Sequence, residues 1–225
     1  LYVADTANHR IRKVDLDGSV STLAGTGTAG AANGAGNVAE FSAPTGIARD
    51  TAGFVYVTEA SSHAVRRIAA DGTTTLFAGS SATSGYADAT GAAARFSSPA
   101  GLAVGVSGLI YVADKGNHRI RSISAAGLVK TVAGSGTDGL LDGLGDVARF
   151  SGPSSLTTTA GGGLVVGEFG SSALRGIAPL QVLIEAVAGL TGTSDTPVSL
   201  AVTGLPVSAP YYFRAIATNG GGTTI

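Results

Sequence analysis

One pattern recurs four times along the chain at an almost fixed period, and this period constrains the fold more than any other feature. Each copy is a short apolar run that ends in an acidic residue, with an arginine seven positions later. Successive acidic residues are 54, 55 and 54 positions apart. The four acid–arginine pairs are Asp5 and Arg12, Glu59 and Arg66, Asp114 and Arg121, and Glu168 and Arg175. A fixed period of this kind predicts one supersecondary unit repeated along the chain.

Each repeat is predicted to contain four short antiparallel strands. In the complete unit that starts at Pro44, runs rich in Val, Ile, Thr and Tyr cover residues 45–49, 54–58, 64–69 and 73–78. Turn signals separate the runs, and the Asp71-Gly72 pair is typical of a hairpin because such residues tolerate positive φ. Four antiparallel strands per repeat make a propeller blade. The sequence therefore predicts an all-β protein, an open arc of about three and a half propeller blades.

Two segments carry a resemblance to a known family. Residues Asn8-His9-Arg10 and Asn117-His118-Arg119 each follow Tyr-Val-Ala-Asp, and the equivalent triplets of the other repeats are Ser62-His63-Ala64 and Ser171-Ser172-Ala173. This pattern resembles the signature of NHL-repeat β-propellers, named after an Asn-His-Leu triplet. The resemblance covers residues 1–190, which we take as one domain, and it implies a fold rather than a chemistry.

The remaining residues, 191–225, differ in character. The repeat register is lost from Thr193 onward, and residues 193–225 resemble the second half of a fibronectin type III module, a partial β-sandwich. Leu205 and Tyr211 have the spacing of that family's tyrosine corner. The alternative is a divergent fifth blade, which would need another acidic motif near position 220, where the sequence has Gly220-Gly221-Gly222.

Composition excludes several classes of function. The 14 basic and 15 acidic residues form no block of either sign, so neither the basic surface of a nucleic-acid binder nor a polybasic membrane patch is present. The chain has no cysteine, which excludes disulfides and thiolate chemistry, and no apolar stretch long enough to insert into a membrane. The chain contains no methionine and opens within a blade, so we expect a piece of a longer polypeptide. The family resemblance implies an extracellular or cell-surface location, in bacteria.

The expected binding surface is the rim that carries the long loops between blades and the turns between second and third strands, because alternating strands place both on one face. Such loop-bearing faces are the default ligand surface of a propeller. The predicted binding residues are Tyr86, Leu140, Leu141, Asn8, His9, His63, Asn117 and His118. The internal loop pattern is repeated three times, so we interpret it as structural, with Phe41, Phe96 and Phe150 filling the gaps between blades.

No catalytic, cofactor or metal site is predicted. Two Gly-x-Gly-x-x-Gly motifs, at 25–30 and 134–139, lack the helix that a dinucleotide site needs. The three histidines occupy equivalent positions in different blades, too far apart to share one ion. The four acidic residues are expected to pair with their own arginines. Asp138, Asp142 and Asp146 form an acidic set that lacks the EF-hand order of calcium ligands.

Two functions stay open. The favoured one is a non-enzymatic binding or scaffold module that presents the rim to a protein or glycan partner. The alternative is a fragment of a propeller enzyme, since relatives of the family include metal-dependent lactonases and lyases. An enzyme should place non-equivalent acids, Asn or His on the first strands. Those segments, 45–49, 100–104 and 154–158, are small and mostly apolar, so binding is favoured.

Overall fold

The computed structural model describes residues 1–81 and 83–178, and these residues form four antiparallel sheets. Blade 1 contains β1 (Tyr2–Asp5), β2 (Arg10–Val14) and β3 (Val20–Ala24). Blade 2 contains β4 (Pro44–Arg49), β5 (Val55–Glu59), β6 (Ala64–Ile68) and β7 (Thr74–Gly79). Blade 3 contains β8 (Pro99–Val104), β9 (Ile110–Asp114), β10 (Arg119–Ile123) and β11 (Val129–Ala133). Blade 4 contains β12 (Pro153–Thr158), β13 (Leu164–Glu168) and β14 (Ala173–Ile177).

The predicted open arc of four-stranded blades is confirmed, and the predicted strands of blade 2 agree with the structure to within about one residue, the usual uncertainty of strand ends. Within each blade the strands follow one another in chain order. The fibronectin-like tail and the boundary near residue 190 lie outside the described residues. Three single turns of 3₁₀ helix, at 6–8, 91–93 and 115–117, complete the elements, and within the described residues no helix is long and apolar enough to cross a membrane.

The Asp71-Gly72 hairpin needs positive φ at one residue of the pair only. At the Asp71-Gly72 turn only Gly72 has positive φ, at +86°. The Asp71 carboxylate instead accepts a hydrogen bond from the Thr73 N–H at 2.9 Å, and the Ala69 N–H bonds to the Thr73 carbonyl. The connection is therefore a three-residue loop that ends in a left-handed glycine, a common hairpin form.

The hydrophobic core lies between the blades, because the sheets of neighbouring blades pack face to face. One cluster joins blades 1 and 2 around Val57, a second joins blades 2 and 3 around Val112, and a third joins blades 3 and 4 around Val166. Each cluster contains one phenylalanine from the loop that precedes a blade. The three rings, Phe41, Phe96 and Phe150, are 0%, 0% and 2% exposed, which confirms their predicted role as plugs.

The first strands approach one another closely, and small residues make this approach feasible. A Cβ added at Gly46 would overlap the Ala100 carbonyl oxygen of the next blade, and one added at Gly101 would lie 2.7 Å from the Cα of Ser155. Thr45 adds a hydrogen bond to the Pro99 carbonyl at 3.3 Å. The small character of these segments is therefore required by blade packing.

Candidate loop-rim binding surface

The long loops and the turns between second and third strands do lie on one face, which we call the loop rim. Direct contacts between blades show this. The Nδ1 atoms of His9, His63 and His118 accept hydrogen bonds from the backbone N–H groups just before the first strand of the next blade. The donors are Ala43 at 3.4 Å, Ser98 at 3.0 Å and Gly152 at 3.3 Å.

The three predicted rim histidines connect neighbouring blades and do not converge on one site. Each has the same left-handed backbone conformation, with φ of 52°. Across residues 1–81 and 83–178, no group of three or more His, Asp or Glu side chains could hold a metal ion.

Beneath the rim, the acid–arginine pairs of blades 2, 3 and 4 hold the preceding loops in place. In blade 3, Asp114 accepts hydrogen bonds from the Ser97 N–H at 2.8 Å and from Arg121 Nη1 at 2.7 Å. Arg121 also donates to the carbonyls of Arg95 and Ala87, at 3.1 and 2.9 Å. Its Nη2 forms a further ion pair with Asp88 at 2.6 Å. We call this arrangement of acid, arginine and loop the clamp.

The clamp recurs in blades 2 and 4 with identical sequence spacing. The arginine lies seven residues after the acid and 26 and 34 residues after the two loop carbonyls. The ion pairs are 3.2 Å between Glu59 and Arg66 and 3.1 Å between Glu168 and Arg175. The predicted pairing of acid and arginine is thus confirmed in three blades.

The prediction is wrong in blade 1. Asp5 accepts a hydrogen bond from the Asn8 side chain at 2.8 Å, and Arg12 donates to the Thr22 hydroxyl at 2.5 Å. The contacts of both side chains in blade 1 are thus made within the turn and the neighbouring strand.

Burial shapes the electrostatics of the clamps. The side chains of Glu59, Arg66, Asp114 and Arg121 are at most 1% exposed. Burial raises the pKa of the Glu59 and Asp114 carboxyls above their ordinary values, and hydrogen bonds and the facing arginines oppose the rise. These buried charges are committed to holding loops.

Two residues of the acidic set in the third loop, Asp138 and Asp142, have separate partners. Asp138 lies 3.4 Å from His118 Nδ1, whereas Asp142 forms the clamp ion pair with Arg175. Asp142 is thereby equivalent to Asp88 in blade 3 and to Asn33 in blade 2. Its acidic character is explained by the arginine that it contacts.

The two glycine-rich motifs also have a structural explanation. The guanidinium groups of Arg10 and Arg119 lie over Gly27 and Gly136 and donate to the carbonyls one residue earlier, both at 2.7 Å. A side chain at either glycine would overlap the arginine. Blade 2 has Ala64 in place of the arginine, and Ser81 stands where the glycine would be. The middle glycine of each motif therefore makes room for an arginine.

This packing predicts that Gly136→Ala lowers the free energy of unfolding by about 2 kcal/mol, because left-handed strain adds to the displacement of the Arg119 guanidinium, which loses its hydrogen bond to the Ser135 carbonyl. Gly108→Ala is the matched control, since Gly108 has φ of +79° and no atom within 4 Å of an added Cβ. It should cost only about 1 kcal/mol. In urea denaturation, the extra loss of Gly136→Ala over Gly108→Ala should disappear when Arg119 is also replaced by Ala. Equal losses from Gly136→Ala with and without Arg119 would contradict the explanation.

Some of the predicted rim residues contact other residues of the protein, whereas two leucines are mainly exposed to solvent. The Tyr86 ring lies over Arg119 and Arg121, at 3.9 and 4.9 Å, and its hydroxyl is 3.1 Å from that of Thr131. Asn117 bonds the Gly85 carbonyl at 2.7 Å. Asn8 and the three histidines are held as described above. Leu140 and Leu141 stay 59% and 44% exposed.

Sequence reasoning missed one residue of this surface. Phe169 is 75% exposed on the blade 4 turn, and Lys115 Nζ of blade 3 lies 4.8 Å from its ring centre. The available signal was the variable position after each acid, occupied by Thr6, Ala60, Lys115 and Phe169. Exposed apolar residues also occur elsewhere, since Leu16 and Val106 are exposed on hairpin turns at the opposite ends of the strands.

Blade packing, strand order and rim define the described residues as an arc of a β-propeller. Residues 96–121, from the Phe96 plug to the clamp arginine of blade 3, match the family model of the NHL repeat. Together these findings support an NHL-repeat β-propeller.

Known proteins agree with this assignment. The bovine NHL repeat-containing protein 2 is 32% identical over 70% of this chain, and the chain spans about a quarter of it, 26%. A structural genomics protein of unknown function from Bacteroides thetaiotaomicron has a TM-score of 0.67 at 22% identity, with 79% of this chain and 44% of that one covered. An auxiliary nutrient binding protein from the same organism has a TM-score of 0.63 at 20% identity, with the same coverage. At this identity the structural likeness shows the fold.

Proposed function

We propose that this chain is a binding or scaffold module that presents its loop rim to a protein or glycan partner outside a bacterial cell. One observation carries the proposal. Three clamps with identical contacts fix the loops from below, while the side chains displayed above them differ from blade to blade.

The differences fall at two equivalent positions. One lies two residues before the clamp residues Asn33, Asp88 and Asp142, and it is occupied by Ala31, Tyr86 and Leu140. The other is the position directly after the acid of each repeat, and it is occupied by Thr6, Ala60, Lys115 and the exposed Phe169. Features common to all repeats serve the shared fold, so the non-repeated side chains are those free to serve recognition. Loops on a rigid scaffold commonly have this role.

The charges of the chain support binding through shape and apolar area. The net charge is −1, and the buried acids are paired with arginines in the clamps. The first strands carry Thr, Gly, Ala and Ser at the positions where the alternative, a lactonase or lyase, would need non-equivalent acids or histidines. An interface of this composition should be little affected by salt, because screening acts on exposed charges.

The test compares one triple variant with one double variant. Leu140→Asp with Leu141→Asp and Phe169→Asp changes the loop rim, whereas Leu16→Asp with Val106→Asp places charges at equally exposed sites on the opposite ends of the strands. Partners captured from the source organism are identified by mass spectrometry and their affinities measured by surface plasmon resonance. The rim variant should bind about tenfold or more weakly, as expected for the loss of apolar anchors.

The control variant should bind like the wild type, and raising the salt concentration should change the affinity little. Equal losses in both variants, or a loss confined to the control, would place recognition elsewhere and contradict the proposal. Circular dichroism of each variant confirms that the blades remain folded, which these exposed positions should allow.

A further inference from the structure

The three clamps differ at one position, where two of them carry an acid and the third carries an amide. In blades 3 and 4 the acids Asp88 and Asp142 form ion pairs with the clamp arginines, at 2.6 Å for Asp88. The equivalent residue of the blade 2 clamp is Asn33, whose Oδ1 accepts a hydrogen bond from Arg66 Nη2 at 2.9 Å. Blade 2 therefore holds its arginine with one negative charge fewer.

The surroundings of this position suit a carboxylate better than an amide. In blade 3 both oxygens of Asp88 accept hydrogen bonds, one from the clamp arginine and the other from the Thr131 N–H at 3.0 Å. Leu76 is equivalent to Thr131, because the two have the same register against their clamp arginines. The second polar atom of Asn33 is a nitrogen, which donates hydrogen bonds and accepts none. An aspartate at this position would accept the Leu76 N–H with its second oxygen.

The sequence gives Asn33 a chemical route to that carboxylate, because the next residue is Gly34. The backbone nitrogen of Gly34, once deprotonated, attacks the side-chain carbonyl carbon of Asn33. A cyclic imide forms, and the side-chain nitrogen leaves as ammonia. Water then cleaves the imide at the side-chain carbonyl, which leaves an aspartate and restores the Gly34 amide. The net change is an amide and water to a carboxylic acid and ammonia, without oxidation or reduction, and glycine has no Cβ to obstruct the attack.

The folded loop controls how often this reaction begins. The Gly34 N–H donates to the Thr74 carbonyl at 3.0 Å, and the Thr74 N–H donates to the Gly34 carbonyl at 2.8 Å. These two bonds hold the nucleophilic nitrogen against blade 2, so this bridge must open before the nitrogen attacks. Opening one surface loop needs less free energy than unfolding the chain. Since Asn33 is exposed, we expect a slow reaction in the folded protein.

We propose that Asn33 is a site of spontaneous deamidation, and that the aspartate it forms completes the blade 2 clamp. The product gives Arg66 the second carboxylate that the clamp arginines of blades 3 and 4 already have. It also supplies the acceptor for the Leu76 N–H. The modification strengthens the hold on the loop that carries Ala31, and it needs no enzyme and no partner.

Direct substitution tests the effect on the clamp. Asn33→Asp should raise the Tm by about 2–4 °C, as expected when a neutral hydrogen-bond acceptor becomes charged in a chain of this size. The reverse exchange in blade 3, Asp88→Asn, should lower the Tm by a similar amount. Asn37→Asp is the matched control, since Asn37 is exposed in the same loop and lies outside the clamp. It should change the Tm by about 1 °C or less.

The reaction is followed in the wild-type protein during incubation at mildly alkaline pH. Proteolysis and tandem mass spectrometry with electron-transfer dissociation distinguish asparagine, aspartate and isoaspartate at each position. Asn33 should convert to aspartate in the folded protein, and faster in urea, where the bridge to Thr74 is lost. Asn37 is followed by Val38 and should remain an amide over the same time. The Tm of the incubated protein should approach that of Asn33→Asp.

An unchanged or lower Tm in Asn33→Asp would overturn the inference, because the clamp would then gain nothing from a second carboxylate. An Asn33 amide that stays intact in the folded protein, after the sample in urea has reacted, would also overturn it. Isoaspartate as the main product in the folded protein would do the same, because its longer main chain does not place the carboxylate on Arg66 as Asp88 is placed in blade 3.

Discussion

Asp114→Ala is expected to lower the free energy of unfolding by about 3–5 kcal/mol, the usual cost of removing one partner from a buried ion pair. Asp114 is fully buried and accepts hydrogen bonds from Arg121, Asn117 and the Ser97 N–H. Its removal leaves the Arg121 guanidinium buried with one carboxylate fewer and frees the loop before blade 3. Chemical denaturation followed by far-ultraviolet circular dichroism measures the loss.

The repeat offers a matched control. Asp5 occupies the same sequence position in blade 1, but its partner is the exposed Asn8 and it has no contact with Arg12. Asp5→Ala should therefore cost less than about 1 kcal/mol, as an exposed hydrogen bond does. Equal losses of unfolding free energy at the two positions would show that the acid stabilises only its own turn. The contacts of the clamp would then contribute nothing measurable to stability.

The period and turn chemistry were sufficient to predict the blades. Strand spacing is a local property, because each run of Val, Ile, Thr and Tyr is bounded by residues that specify a turn. The acid–arginine pairing was also predictable from a constant spacing of seven. The failure at Asp5 and Arg12 shows the limit of such a pattern, because a constant spacing does not reveal which other side chains each member contacts.

The composition of the rim was harder to predict. Tyr86 was predicted as a binding residue of the rim because it is not repeated; its ring is 48% exposed and also stacks on two arginines. That stack depends on Arg119 lying over Gly136, a packing relation that spans separate elements. Phe169 was overlooked for the opposite reason: it follows the last clamp acid without any local signal, and only the folded turn shows that its ring is exposed.

The plug phenylalanines provide the second large effect. Phe96 is fully buried in the cluster that joins blades 2 and 3, and its ring also faces the Arg121 guanidinium at 5.2 Å. Phe96→Ala should lower the free energy of unfolding by about 3–5 kcal/mol, through lost apolar burial and the cavity left behind.

Two further variants separate these contributions. Phe96→Leu keeps most of the volume and removes the ring over Arg121, so it should cost about 1–2 kcal/mol if packing dominates. Phe169→Ala removes the 75% exposed ring and should change stability by less than about 0.5 kcal/mol. A loss in Phe96→Leu as large as that in Phe96→Ala would mean that the ring–guanidinium contact outweighs packing. Equal small losses at Phe96 and Phe169 would contradict the plug itself, because a ring that joins two blades cannot be removed without weakening the interface between them.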